Sequence, residues 1–200
     1  MHIAILTFDG FNELDSLIAL GILNRVKKPD WRVTLASPTP TVTSMNGVVL
    51  QAQSSLAEAC QADAILFGSG MKTREIANDE SVMSQLKLNP RKQLIGAQCS
   101  GTLMLAKLGF LKTIPACTDM LTKPWVLDAG VDVLNQPFYA DGNLATAGGC
   151  LASQYLAAWV IARFEGLDAA KSAMHYVAPV GEKEQYVDRA VSNITPYLPA

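Results

Sequence analysis

Histidine is almost missing from this sequence, with only His2 and His175 among 200 residues. His2 opens the first β-rich run and His175 sits late in an apolar helical run. Neither offers a base for a nucleophile in the middle of the chain, which argues against Cys-His hydrolytic catalysis. Cysteine is sparse as well, at positions 60, 99, 117 and 150, with no CxxC pair and no histidine cluster. That pattern suggests neither a zinc site nor a disulfide framework, so no metal is expected and the thiols are read as reduced. Charge is low and nearly balanced: charged residues make up 17%, with 16 Lys+Arg against 18 Asp+Glu. Such a chain has no general pull toward nucleic acid or anionic lipid, and its apolar content is too high for disorder. Long hydrophobic runs are lacking too. Leu17–Leu23 and Tyr155–Phe164 are too short to span a bilayer, and the second contains Arg163. The start, Met-His-Ile, reaches Asp9 before any long apolar run and does not read as a secretory signal. The expectation is one cytoplasmic domain over residues 1–200, large enough to build a full core.

What the sequence does contain is an alternation of short β-rich runs and longer amphipathic ones. His2–Phe8 reads as a buried strand, and a helix over Glu13–Val26 follows, with Leu14, Leu17, Ile18 and Ile22 at helical spacing. Strands are read at Trp31–Ala36, Ala62–Phe67, Gln93–Gln98, Val131–Leu134 and Phe138–Ala147, the last broken by Asp141-Gly142. Thr41–Gln53 reads as a hairpin around Asn46-Gly47. Helical or mixed structure is expected up to Lys87, and helices at Thr102–Leu108, at Leu151–Phe164, and near 168–177 and 182–194. Strands apolar on both faces, separated by helices, predict an α/β parallel sheet covered on both sides. In such a sheet the turns just after the strands carry the chemistry.

Three of these turns hold candidates: Asp9, Glu13 and Asp15 after the first strand, Gly68-Ser69-Gly70 after the third, and Ala97-Gln98-Cys99-Ser100-Gly101 after the fourth. The last is the most informative. A nucleophile in a tight strand-to-helix turn is pushed out above the sheet, and the small residues Ala97, Ser100 and Gly101 permit the compression. The amides and dipole of the following helix would favour the thiolate. Equally, Cys99 on spacing alone reads as a packed cysteine at a helix start, Gly68-Ser69-Gly70 as a plain tight turn, and Asp15, placed about two turns into its helical run, as a dipole partner. As a site, the Gly68–Gly70 amides would bind an anion or oxyanion, and Cys150 would line the same cleft.

At the Cys99 elbow the sequence resembles the DJ-1/PfpI superfamily, and within it the isonitrile hydratase-like branch. The likeness runs through the opening Ile3–Phe8 strand, Glu13-Leu14-Asp15, Asn46-Gly47, Ile65–Gly70, the elbow, Asp141–Leu144 and Ala147-Gly148-Gly149. It implies a flavodoxin-like, class I glutamine amidotransferase-like fold and a homodimer. It implies Cys99 as nucleophile, Asp15 as the acid bonded to its sulfur, and Gly68, Ser69, Gly70 and Ser100 as an anion pocket. Three departures stand out. Ser100 follows Cys99 where many relatives have His, Asp119 stands at the usual His position, and Ser69 replaces the second glycine of the pocket wall. These departures argue against triads of protease, deglycase or amidotransferase type.

The resemblance implies a cofactor-free enzyme acting on a small molecule, a hydratase or lyase adding water to an electrophile such as an isonitrile. The alternative is a protein without turnover that senses peroxide by oxidising Cys99 to a sulfinate beside an acid. A ligand-sensing domain of a helix-turn-helix regulator is a third reading. It is disfavoured because the chain stops at Ala200, soon after its last predicted helix.

Overall fold

The computed structural model describes residues 1–199. Strand β1 (His2–Leu6) leads to helix α1 (Glu13–Leu23), strand β2 (Arg32–Ser37) and an antiparallel hairpin of β3 (Thr41–Thr43) with β4 (Val49–Gln51). The short edge strand β5 (Ser54–Ser55) precedes α2 (Leu56–Ala59) and β6 (Ala64–Phe67). One-turn helices α3 (Thr73–Ile76) and α4 (Glu80–Met83) follow, then β7 (Leu94–Gln98), α5 (Gly101–Lys107) and α6 (Lys123–Asp128). The hairpin of β8 (Phe138–Asp141) and β9 (Leu144–Ala147) precedes α7 (Ser153–Glu165), α8 (Leu167–Val177) and α9 (Lys183–Ile194).

The main sheet has the order β5-β2-β1-β6-β7-β9-β8, parallel throughout except for β8. Its central strands are buried on both faces because helices cover both sides, which is why Ile3–Leu6, Ala64–Phe67 and Leu94–Gln98 read as continuous apolar text. One core lies between the sheet and α1, α7, α8 and α9, around Trp159, Leu156, Ile3 and Ile5. The other lies between the sheet and α2, α5 and α6, around Phe67, Ile95, Met104 and Val126. This is the mixed parallel-sheet α/β fold expected from the sequence. From β1 the chain winds outward through β2 to β5 and then crosses back to β6 on the other side of β1, so the strand order reverses between β1 and β6. The carboxyl ends of β1, β6, β7 and β9 converge there.

The strand expected over Val131–Leu134 does not form. Val133 makes a single bridge to Ala116, with Ala116 N–H donating to the Asp132 carbonyl and Leu134 N–H to the Ala116 carbonyl at 2.9 Å each. Helix α1 stops at Leu23, three residues early, because the next amides bond tightly at i−3, Arg25 to Ile22 and Val26 to Leu23.

Candidate active site

Strand β7 ends at Gln98, and Cys99 follows with φ 46°, the one non-glycine residue at positive φ among the described residues. A left-handed L-residue costs about 1–2 kcal/mol, so the surroundings must hold it there. The Cys99 N–H donates to the Ala147 carbonyl at 2.8 Å, and its carbonyl accepts from Thr118 Oγ1 at 2.8 Å and Thr102 N–H at 3.2 Å. Gly101 lets the elbow sit against β6: a Cβ there would lie 2.7 Å from the Phe67 carbonyl oxygen and 2.8 Å from that of Gly68. Ser100 ties the same corner, its hydroxyl donating to Thr73 Oγ1 at 2.9 Å and accepting from Gly70 N–H at 3.2 Å.

Asp15 enters from α1. Asn12 caps that helix, its side chain accepting from Leu14 N–H at 3.1 Å, which places Asp15 in the first turn rather than about two turns in, and aims it inward. Asp15 is only 2% exposed and Cys99 3%. The Cys99 thiol donates to Asp15 Oδ1 at 3.7 Å, and Ser69 Oγ donates to Asp15 Oδ2. Cys150, from the turn after β9, completes the group: Asn12 Nδ2 donates to its sulfur at 3.2 Å. The ligating atoms of Asp15, Cys99 and Cys150 lie within 4.8 Å of one another.

A strained cysteine elbow with a buried carboxylic acid, on this sheet, is accompanied by a family match over nearly the whole chain: the model of the DJ-1/PfpI family covers residues 1–191. The chain belongs to the DJ-1/PfpI family. Solved structures agree on the fold. Schizosaccharomyces pombe DJ-1 superposes with a TM-score of 0.77 at 18% identity, covering 90% of this chain and all of that one (100%). A THiJ/PfpI family protein from Pseudomonas syringae gives 0.78 at 17% identity, over 98% of this chain and 87% of that one. A DJ-1 superfamily protein from Salmonella typhimurium gives 0.75 at 22% identity, over 89% and 98%. No curated protein sequence matches the chain.

The electrostatics of this DJ-1/PfpI site differ from the expectation of a standing thiolate. Burial, and then the negative charge of Asp15, push the Cys99 thiol far above its ordinary range. Loss of hydration is the dominant influence on the sulfur, ahead of every neighbouring charge. Burial also raises Asp15, against the pull of the hydrogen bonds from Ser69 and Cys99. Burial raises Cys150 in the same direction. The resting site therefore holds a thiol proton on a short path to a carboxyl group.

The remaining sequence candidates separate clearly. Ser69 belongs to the site through its side chain, a role that reading it as a replaced glycine missed. Of the expected anion-binding amides, Gly68 N–H is committed to the Leu6 carbonyl at 3.0 Å and Gly70 N–H to Ser100 Oγ. The N–H groups of Ser69 and Ser100 have no partner among the described residues. Asp119 serves its own loop: its Oδ1 accepts from Leu121 and Thr122 N–H at 2.9 Å each, leading into α6, and it makes no bond to Cys99. His2 bonds Thr34 Oγ1 at the far end of the sheet, and His175 is exposed. Asp9 pairs with Lys72 at 2.6 Å, and Glu13 bonds Ser44 and Asn46 of the hairpin. Asn12 went unnoticed in the sequence, although an Asn before Glu13-Leu14-Asp15 is a helix-cap signal. Gln98 was missed as well. It is buried, directly precedes Cys99, and neither of its amide atoms has a partner among the described residues. A groove of about 930 Å³ runs beside the cluster, lined by Cys150, Leu151, Leu17, Ile18 and Tyr155.

Proposed function

We propose that this DJ-1/PfpI protein adds water to a small electrophilic carbon, with an isonitrile as substrate class and an N-substituted formamide as product. The observation that carries the reading is the thiol of Cys99 donating to the Asp15 carboxyl in a buried site. That pair needs no standing thiolate and no histidine. The thiol proton passes to Asp15 and on to the terminal isonitrile carbon while the sulfur forms a bond to the same carbon, giving a thioimidate. Water then adds across the carbon–nitrogen double bond, its oxygen to that carbon and one proton to nitrogen; the carbon–sulfur bond breaks as the hydroxyl proton returns to the sulfur, and the formamide departs. The open amides of Ser69 and Ser100 supply donors for the incoming oxygen. Leu17, Ile18 and Leu151 supply an apolar wall for the substituent on nitrogen. The reading includes a cytoplasmic homodimer that uses no cofactor, as the likeness to the hydratase-like branch implies.

The test is formamide production from a series of alkyl and aryl isonitriles by the reduced protein, followed by chromatography. Cys99→Ser should abolish turnover, and Asp15→Asn should slow it by about 10²–10⁴-fold, the range of a positioned acid–base group. No formamide from any member of the series, or full turnover by Cys99→Ser, would overturn the proposal.

A further inference from the structure

We infer that Cys99 and Cys150 form a second working unit, a thiol pair that reduces hydroperoxides and closes to a disulfide. It shares the nucleophile of the proposed hydration but does not depend on that reaction. The two sulfurs lie within 4.8 Å of each other and of an Asp15 oxygen, although they stand far apart in the chain. Cys99 is the fixed member, locked at the elbow. Cys150 is the movable one: it is half-buried, starts a single 3₁₀ turn over Cys150–Ala152, and follows Gly149 at φ 92°. A Cβ at Gly149 would meet nothing within 4 Å, so this side of the turn is open. Closing to a sulfur–sulfur bond of about 2.05 Å asks Cys150 to swing inward from the groove it lines. The Asn12 amide already donates to the Cys150 sulfur, a bond that strengthens as that sulfur becomes negative. The other two cysteines lie outside the cluster: Cys60 donates to the Gln85 carbonyl at 3.4 Å, and Cys117 is fully buried, its N–H donating to Thr146 Oγ1 at 2.8 Å.

The chemistry balances with a hydroperoxide as oxidant and an external dithiol as reductant. Cys99 sulfur attacks the terminal peroxide oxygen. The sulfur–oxygen bond forms, the oxygen–oxygen bond breaks, and the thiol proton travels through Asp15 to the departing alcohol or water. Cys99, oxidised by two electrons, is now a sulfenic acid. Cys150 sulfur attacks it, the sulfur–sulfur bond forms, and the hydroxyl leaves as water with the Cys150 proton. The dithiol then exchanges with the disulfide, restoring both thiols and becoming oxidised itself. The outcome differs from a sulfinate: a resolving thiol this close should intercept the sulfenic acid before a second oxygen arrives.

The reduced protein is treated with one equivalent of hydrogen peroxide and read by intact mass and peptide mapping. The expected product has lost two hydrogens, links the Cys99 and Cys150 peptides, and returns to the starting mass with dithiothreitol. Cys150→Ser should lose the linkage completely and gather oxygens on Cys99. With excess dithiothreitol the wild type should consume many equivalents of peroxide. Cys60→Ser should leave the linkage intact. A wild-type product carrying two oxygens on Cys99 with Cys150 still free, or a linkage through Cys60 or Cys117, overturns the pairing. Isonitrile hydration is scored separately on the reduced protein, so loss of one activity with retention of the other shows which proposal has failed.

Discussion

Replacing Cys99 by alanine and by glycine separates the strain of the elbow from the chemistry at its tip. Both variants lose the sulfur, its bond to Asp15 and any turnover, and they differ only in the Cβ. At an ordinary position glycine is less stable than alanine by roughly 0.5–1 kcal/mol, because the unfolded chain is freer. At φ 46° the order should invert. An L-residue there carries about 1–2 kcal/mol of steric cost that glycine escapes. Subtracting the entropic term leaves Cys99→Gly more stable than Cys99→Ala by about 0.5–1 kcal/mol, or some 2 °C in a chain of this length. Urea midpoints analysed with a common slope measure the difference directly. The same pair of substitutions at the exposed Ser172, in the middle of α8, supplies the ordinary order for comparison. If glycine proves the less stable of the two at position 99 by the usual margin, the elbow stores no strain and the argument for a sterically forced nucleophile fails.

Asp15→Asn should stabilise the protein at neutral pH while slowing turnover. Burial raises the Asp15 carboxyl above its ordinary 3.8, so the folded state holds that proton more tightly than the unfolded chain. Stability then falls as pH rises from about 4 through the raised value, and the penalty persists above it. Urea midpoints for the variant should lose that decline, and midpoints that track the wild type across this window would contradict the assignment. Gly101→Ala should cost about 1–3 kcal/mol, since its Cβ would lie 2.7 Å from a backbone oxygen of β6 that cannot rotate away. It should also slow turnover by prising the elbow from the Ser69 wall; a wild-type midpoint would show that the contact relaxes freely.

The helices and strands that were legible in the sequence are those whose burial is one-dimensional. Ile3–Leu6, Ala64–Phe67 and Leu94–Gln98 announce themselves because both faces are covered, and Asn46-Gly47 marks its hairpin through turn chemistry. The 131–134 run misled because β-branched residues record only a preference, whereas a strand needs a partner along its length, and here the pairing is confined to the single bridge at Ala116. The elbow was visible through the small residues around Cys99, and the family likeness singled out Asp15. The sequence offered Cys150 as lining of the cleft and Ser69 as a pocket amide, but the Asn12 contact, the Ser69 side-chain bond and the closeness of the two sulfurs were not legible, since each depends on an atom brought from a different crossover of the sheet.

By itself, the sequence determined the layered architecture and the location of a cysteine at a strand-to-helix corner, because hydrophobic period and turn composition are local properties. Only the tertiary structure decided the protonation at that corner. A pKa follows from the water excluded and the charges assembled around a group, and Cys99 is enclosed by α1, the β6 turn and the loop after β9. The same convergence placed a second thiol beside the first and turned Asp119 toward its own loop. No spacing along the chain encodes either arrangement.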